Sequence, residues 1–156
     1  QVDQGSDGPY VWDRATGALT RLELPAGAVG AEVSGLSLGG ILSVGIALLP
    51  GGGRAACVWD GAGNGTLVAP PGSELTAVSE NGEWAAGQVF GGGGALPFRW
   101  NRSMGRLDLP TLGSAASYRA AMASDDGQLV IGNRSGSGSG SGSTGFAWQA
   151  FGGTTS

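Results

Sequence analysis

One spacing pattern constrains this chain more than any other. A serine is followed by two residues, a glycine, four more residues and a second glycine, and the arrangement occurs three times: at Ser37, Gly40 and Gly45; at Ser79, Gly82 and Gly87; and at Ser124, Gly127 and Gly132. A second pattern, a triplet ending in tryptophan, occurs four times: Tyr10-Val-Trp12, Cys57-Val-Trp59, Phe98-Arg-Trp100 and Phe146-Ala-Trp148, with the tryptophans 47, 41 and 48 residues apart. A glycine follows each tryptophan at Gly17, Gly65, Gly105 and Gly152. Landmarks recurring together at one period mark a chain built from repeated supersecondary units.

Each unit parses into four short strands. In the second complete unit, Leu75 to Ser79 and Glu83 to Phe90 flank Asn81-Gly82, a hairpin turn signal because both residues tolerate positive φ. Gly39-Gly40 and Asp126-Gly127 hold the equivalent turns. Leu96 to Arg102 forms a third strand, and Gly105 turns the chain into a fourth, Arg106 to Leu109, which Pro110 ends. Along the third strand Phe98 and Trp100 point to one face and Arg99 to the other. No apolar stripe of helical period persists. The units fall at about 9–25, 31–70, 74–110 and 117–150; the first supplies only a third and a fourth strand, the last only a first to a third. The expected fold is one all-β domain over 1–156, made of repeated four-stranded antiparallel units, propeller-like, about three units with incomplete ends.

The run Ala-x-x-Ser-Asp-Asp-Gly-x-x-Val-x-Gly at 121–132, the segment Gly-Arg-Leu-Asp-Leu at 105–109 and the triplet Phe146-Ala-Trp148 resemble bacterial extracellular "HAF" repeats, although the histidine of that name is missing. The resemblance spans about residues 9–150. It implies export and a propeller-like β fold, and it implies no catalytic residues.

Composition removes whole chemistries. With 33 Gly and 13% charged residues but 40% hydrophobic ones, the chain is neither a charged disordered polymer nor collagen-like. All eight basic residues are arginine, histidine is absent and the net charge is −4. A P-loop or a Schiff base lacks its lysine, a Ser–His or Cys–His pair lacks its histidine, and no basic patch is available for nucleic acid. One cysteine cannot build a zinc site or an intrachain disulfide, and Cys57, between Ala56 and Val58, reads as a buried thiol. Asp125-Asp126 and the Glu80/Glu83 pair sit in turns, where hairpin chemistry explains them better than catalysis or calcium binding. Asp13, Asp60, Asn101 and Gln149, each after a repeat tryptophan, are expected to satisfy the turn that follows. Gly51-Gly-Gly53-Arg-Ala-Ala56 leads into a strand, so it lacks the helix a dinucleotide needs. No catalytic residue, metal or cofactor is expected, and no apolar run is long enough for a membrane-spanning helix.

Trp12, Trp59, Trp84, Trp100 and Trp148 are expected to form the structural core, because four of them recur at one position and Trp84 stands where Leu42 and Leu129 stand. Tyr118, Phe90 and Phe151 lie off the repeat and are the candidate exposed contacts. The run 136–143 alternates Gly and Ser and reads as a long loop. Asn64, Asn101 and Asn133 open glycosylation sequons. A chain that starts at Gln1 is expected of an exported, processed protein or of a fragment. The expected function is non-catalytic: an extracellular or cell-surface structural protein that assembles with itself into a homo-oligomer or fibre, its terminal strands completing a neighbour's sheet. A glycan-binding, lectin-like propeller module is the alternative.

Overall fold

Thirteen strands carry the regular structure of the computed structural model, which describes residues 8–91, 94–111, 117–136 and 142–150. They form four antiparallel sheets in which sequence neighbours pair in order. Sheet I holds β1 (Tyr10–Trp12) and β2 (Leu19–Arg21). Sheet II holds β3 (Gly30–Leu36), β4 (Leu42–Leu48), β5 (Arg54–Asp60) and β6 (Gly65–Pro71). Sheet III holds β7 (Ser73–Val78), β8 (Trp84–Gly91), β9 (Gly94–Asn101) and β10 (Gly105–Asp108). Sheet IV holds β11 (Ser117–Ala123), β12 (Leu129–Ser135) and β13 (Ser143–Gln149). Short 3-10 turns at Leu38–Gly40 and Pro50–Gly52 are the only helical pieces among the described residues. The fold is the propeller-like series of antiparallel sheets that the repeat predicts.

The serine and first glycine of the repeat build one turn three times. The Gly40, Gly82 and Gly127 amides donate to the Ser37, Ser79 and Ser124 carbonyls at 3.1, 3.1 and 2.9 Å. The serine hydroxyls then accept the amides of Leu42, Trp84 and Leu129 at 2.9, 3.0 and 2.9 Å, which starts the second strand. The three glycines sit at φ 72°, 72° and 66°, a region costly for any residue with a Cβ. The turn differs from the expected Asn81-Gly82 pair: no described non-glycine residue has positive φ. Asn81 uses its side chain instead, its Oδ1 accepting from the Glu83 amide at 2.9 Å and the Ser79 hydroxyl at 2.8 Å.

The second glycine answers to the neighbouring strand. A Cβ at Gly45, Gly87 or Gly132 would overlap the carbonyl oxygen of Glu32, Glu74 or Arg119. That close approach accompanies a β-bulge at Ser34, Thr76 and Ala121, where the register of the first strand slips by one residue. Two bulge residues then reach the next sheet: the Ser34 hydroxyl donates to the Leu75 carbonyl at 2.6 Å, and the Thr76 hydroxyl to the Ala120 carbonyl at 2.8 Å. Ala121 has no hydroxyl to continue the series. The turns are tied sideways as well. Leu38 N–H donates to Glu80 O at 2.9 Å, and Asn81 N–H to Asp125 Oδ1 at 2.9 Å.

The core lies between consecutive sheets. Leu22 and Val11 of the sheet I segment meet Cys57 and Trp59. Leu42, Val44 and Val58 of sheet II meet Leu75, Phe98 and Trp100 of sheet III. Ala77, Ala86 and Leu109 of the sheet III segment meet Tyr118, Val130 and Phe146, with Trp148 packed against them. Because side chains alternate along a strand, each tryptophan triplet sends its first and last residues back to the preceding sheet and its middle residue forward to the following one.

Candidate functional site: the faces between and beyond the sheets

Four of the polar candidates, Asp13, Asp60, Asn101 and Asp126, are occupied by turns. Asp13 Oδ1 accepts the Ala15 amide at 2.8 Å and Oδ2 the Thr16 hydroxyl at 2.8 Å. Asp60 Oδ1 accepts the Ala62 and Asn64 amides at 3.0 and 2.9 Å. Asn101 Oδ1 accepts the Ser103 amide at 2.9 Å. Asp126 Oδ1 takes the Ser124 hydroxyl at 2.6 Å and the Gln128 amide at 2.9 Å. The Thr16 hydroxyl, the Asn64 side chain and the Ser124 hydroxyl respectively are the main groups holding Asp13, Asp60 and Asp126 below the usual carboxylate value. Of the sequon residues, Asn64 and Asn101 have their amides committed, to Asp60 at 3.0 Å and to Glu83 O at 2.9 Å. Among the described residues no three His, Cys, Asp or Glu side chains gather as a metal site would require. Cys57 is buried, and burial pushes its thiol up to about 12.

The repeat tryptophans occupy one position in four different surroundings. Trp59 is fully buried, and its indole N–H donates to Glu23 O at 2.8 Å. Trp100 is buried on Leu42 and Val58 of sheet II. Trp148 is half-buried against sheet III. Trp12 departs from the expected core: it is 61% exposed, with Tyr10 beside it at 50%. The cause is the direction in which the position faces. Each triplet covers the preceding sheet, and among the described residues no sheet precedes sheet I.

The opposite face of sheet IV is open in the complementary sense. In sheets II and III the forward-facing positions are Leu42 with Val58, and Trp84 with Arg99. Trp100 and Trp148 respectively land on them. The equivalent pair in sheet IV is Leu129 and Ala147; on the same face Ile131 pairs with Ala147 and with Met122, and Gln149 pairs with Leu129. Leu129 is 40% exposed, Met122 57%, and Ala147 is exposed.

Trp84 is buried, as expected, but its partner was not legible: the Arg99 guanidinium lies 4.7 Å from the Trp84 ring centre and 4.9 Å from that of Trp148. Its Nη1 donates to Gly127 O, while its Nε is buried without a partner. Desolvation lowers its pKa, and Asp126 opposes that shift. Arg99 takes the middle position of its triplet, where Val11, Val58 and Ala147 are apolar; that contrast was its only signal in the sequence.

Tyr118 corrects the expected contact set. It is 1% exposed, stacked edge-on to Phe146 with ring centres 5.6 Å apart, and its amide donates to Gln88 Oε1 at 2.6 Å. Phe90 is exposed. Phe151, and most of the 136–143 run, lie outside the described residues. Recesses along the sheets include a crevice of about 260 Å³ lined by Asp60, Asn64, Thr66, Trp100 and Arg102, and a polar groove of about 430 Å³ between Glu32, Glu74 and Arg119 of the first strands and Arg54 of β5.

No family model matches the sequence, and no curated protein does. Solved structures do. A protein assigned as TolB from Agrobacterium tumefaciens superposes with a TM-score of 0.63 at 16% identity, over 90% of this chain and 50% of that one. TolB from Acinetobacter baumannii superposes with a TM-score of 0.56 at 19% identity, over 90% of this chain and 36% of that one. The likeness is one of fold. The chain spans half or less of the length of these two structures. No described helix is long and apolar enough to cross a membrane.

Proposed function

We propose that this is a non-catalytic, extracellular or cell-surface structural protein whose terminal sheets are completed by other copies of itself. Exposed Trp12 carries the reading: three tryptophans at its repeat position are covered by a neighbouring sheet, and the fourth faces solvent. Tyr10 and Leu19, also exposed, stand beside it, and apolar side chains clustered on a surface suit a contact. The strand edges agree. Among the described residues β1 pairs only with β2, and β13 only with β12, and neither strand carries lysine, the commonest guard of an open edge. The resemblance to HAF repeats supports the location. Sedimentation across the micromolar range tests the reading: concentration-dependent oligomers or fibres are expected, and a stable, well-folded monomer throughout would end it.

Carbohydrate binding is the second reading, favoured by the adjacent exposed rings of Tyr10 and Trp12, since flat aromatic faces suit sugar stacking. A glycan array with purified protein separates the two.

A further inference from the structure

We infer that the copies join head to tail by stacking faces, the Tyr10/Trp12 face of one protein packing on the Leu129/Ala147 face of the next. The inference rests on the self-assembly reading above and adds its geometry. The occupant is argued from the interface that the chain already repeats within itself. At the junction of sheets I and II, Trp59 packs with Val11. At the next junction Trp100 packs on Leu42 and Val58. At the third, Trp148 lies over Arg99, which lies over Trp84. At every junction a backward-facing tryptophan meets the sheet before it, and at the second and third it lands on a forward-facing pair from the second and third strands. Among the described residues one face of each kind stands without its counterpart. Trp12, with Leu19 paired opposite it, is a backward face without a platform. Leu129 and Ala147, flanked by Ile131 and Met122, are a platform without a tryptophan.

The platform is also chemically suited to an aromatic visitor. It presents Leu129, Ile131, Ala147 and Met122, all aliphatic or thioether side chains, with Gln149 as the polar neighbour of Leu129, whereas the equivalent place in sheet III already holds Arg99. The hydroxyl links between first strands stop at Ala121, so contact beyond sheet IV rests on apolar packing rather than on that hydrogen bond. Two different faces meeting make a heterologous contact, which closes into a ring or runs on as a fibre according to the rotation per copy.

The test uses two variants of the full chain, Trp12→Glu and Ala147→Arg. Both change exposed side chains, and circular dichroism spectra matching the parent establish that both fold. Each variant alone should be monomeric at concentrations where the parent associates, with at least a tenfold weaker dissociation constant. An equimolar mixture should give a capped dimer and nothing larger, because one intact face of each kind remains. Variants that still associate like the parent would overturn the stacking geometry and leave strand-edge pairing as the route. A mixture that stays monomeric would overturn the head-to-tail polarity. A parent that is itself monomeric removes the self-assembly reading and this inference with it. So does a glycan that binds monomeric parent and not Trp12→Glu, which would assign the face to sugar.

Discussion

The Thr76 hydroxyl donates to the Ala120 carbonyl across the boundary between sheets III and IV, at 2.8 Å. Thr76 can do this because it is the bulged residue of its strand, turned out of the ladder by the close approach of Gly87. Thr76→Val keeps the shape and loses the donor. It should lower stability by about 1 kcal/mol, the usual net value of one such bond. Urea denaturation reads the change. Ala121→Thr should gain nothing comparable, having no described sheet beyond it to accept.

The glycines of the repeat are not equivalent, and alanine substitution should separate them. Gly87→Ala drives a methyl group into the Glu74 carbonyl and should cost about 3 kcal/mol, the upper end of ordinary overpacking. Gly105 has open space around its Cβ position and φ 71°, so Gly105→Ala should cost only the left-handed backbone term, about 1 kcal/mol. Similar losses at both sites would contradict the bulge geometry.

Arg99 is held by two rings and has an unpaired buried Nε. Lysine cannot stack as a plane between the two indoles, whereas leucine would repeat the apolar choice of Val58. Arg99→Lys should therefore lower stability by about 1–2 kcal/mol, and Arg99→Leu by less. Thermal or urea melts rank the two, and the reverse order would show that the charge matters more than the stacking.

Cys57 gives stability a pH dependence on the alkaline side. Its thiol is raised from an ordinary value of 9.0 to about 12 by burial. Below pH 9 folded and unfolded thiols both keep the proton. Between about 9 and 12 only the folded protein keeps it, so stability falls as pH rises, by about 1.4 kcal/mol per pH unit from this group. Cys57→Ala should flatten that part of the profile. At pH 8 the native thiol should resist iodoacetamide and react on unfolding in urea.

What the sequence disclosed was whatever the backbone fixes locally. Ser79, Gly82 and Gly87 are chosen by one turn and one bulge, so their spacing showed both the period and the strands. Coverage is different. The triplets around Trp12 and Trp59 differ only at their first residue, yet one tryptophan is sealed and the other open, because burial depends on which sheet lies behind. Tyr118 misled for the opposite reason: it stands outside the repeat, but its strand faces a core that needed a large ring beside Phe146. Arg99 was hidden because a charged residue midway along a strand ordinarily meets water.

The short attachment of sheet I has a mechanical consequence. Glu23, just after β2, ties it to sheet II: it accepts from the Trp59 indole and donates to Gly63 O, both at 2.8 Å. Sheets II, III and IV are fastened to each other at the turns and again along the first strands. A pull on the two ends of the chain would peel sheet I away first, unlatching at Glu23 while the remaining sheets stay joined. The molecule would lengthen in a small step at low force before it yields as a whole.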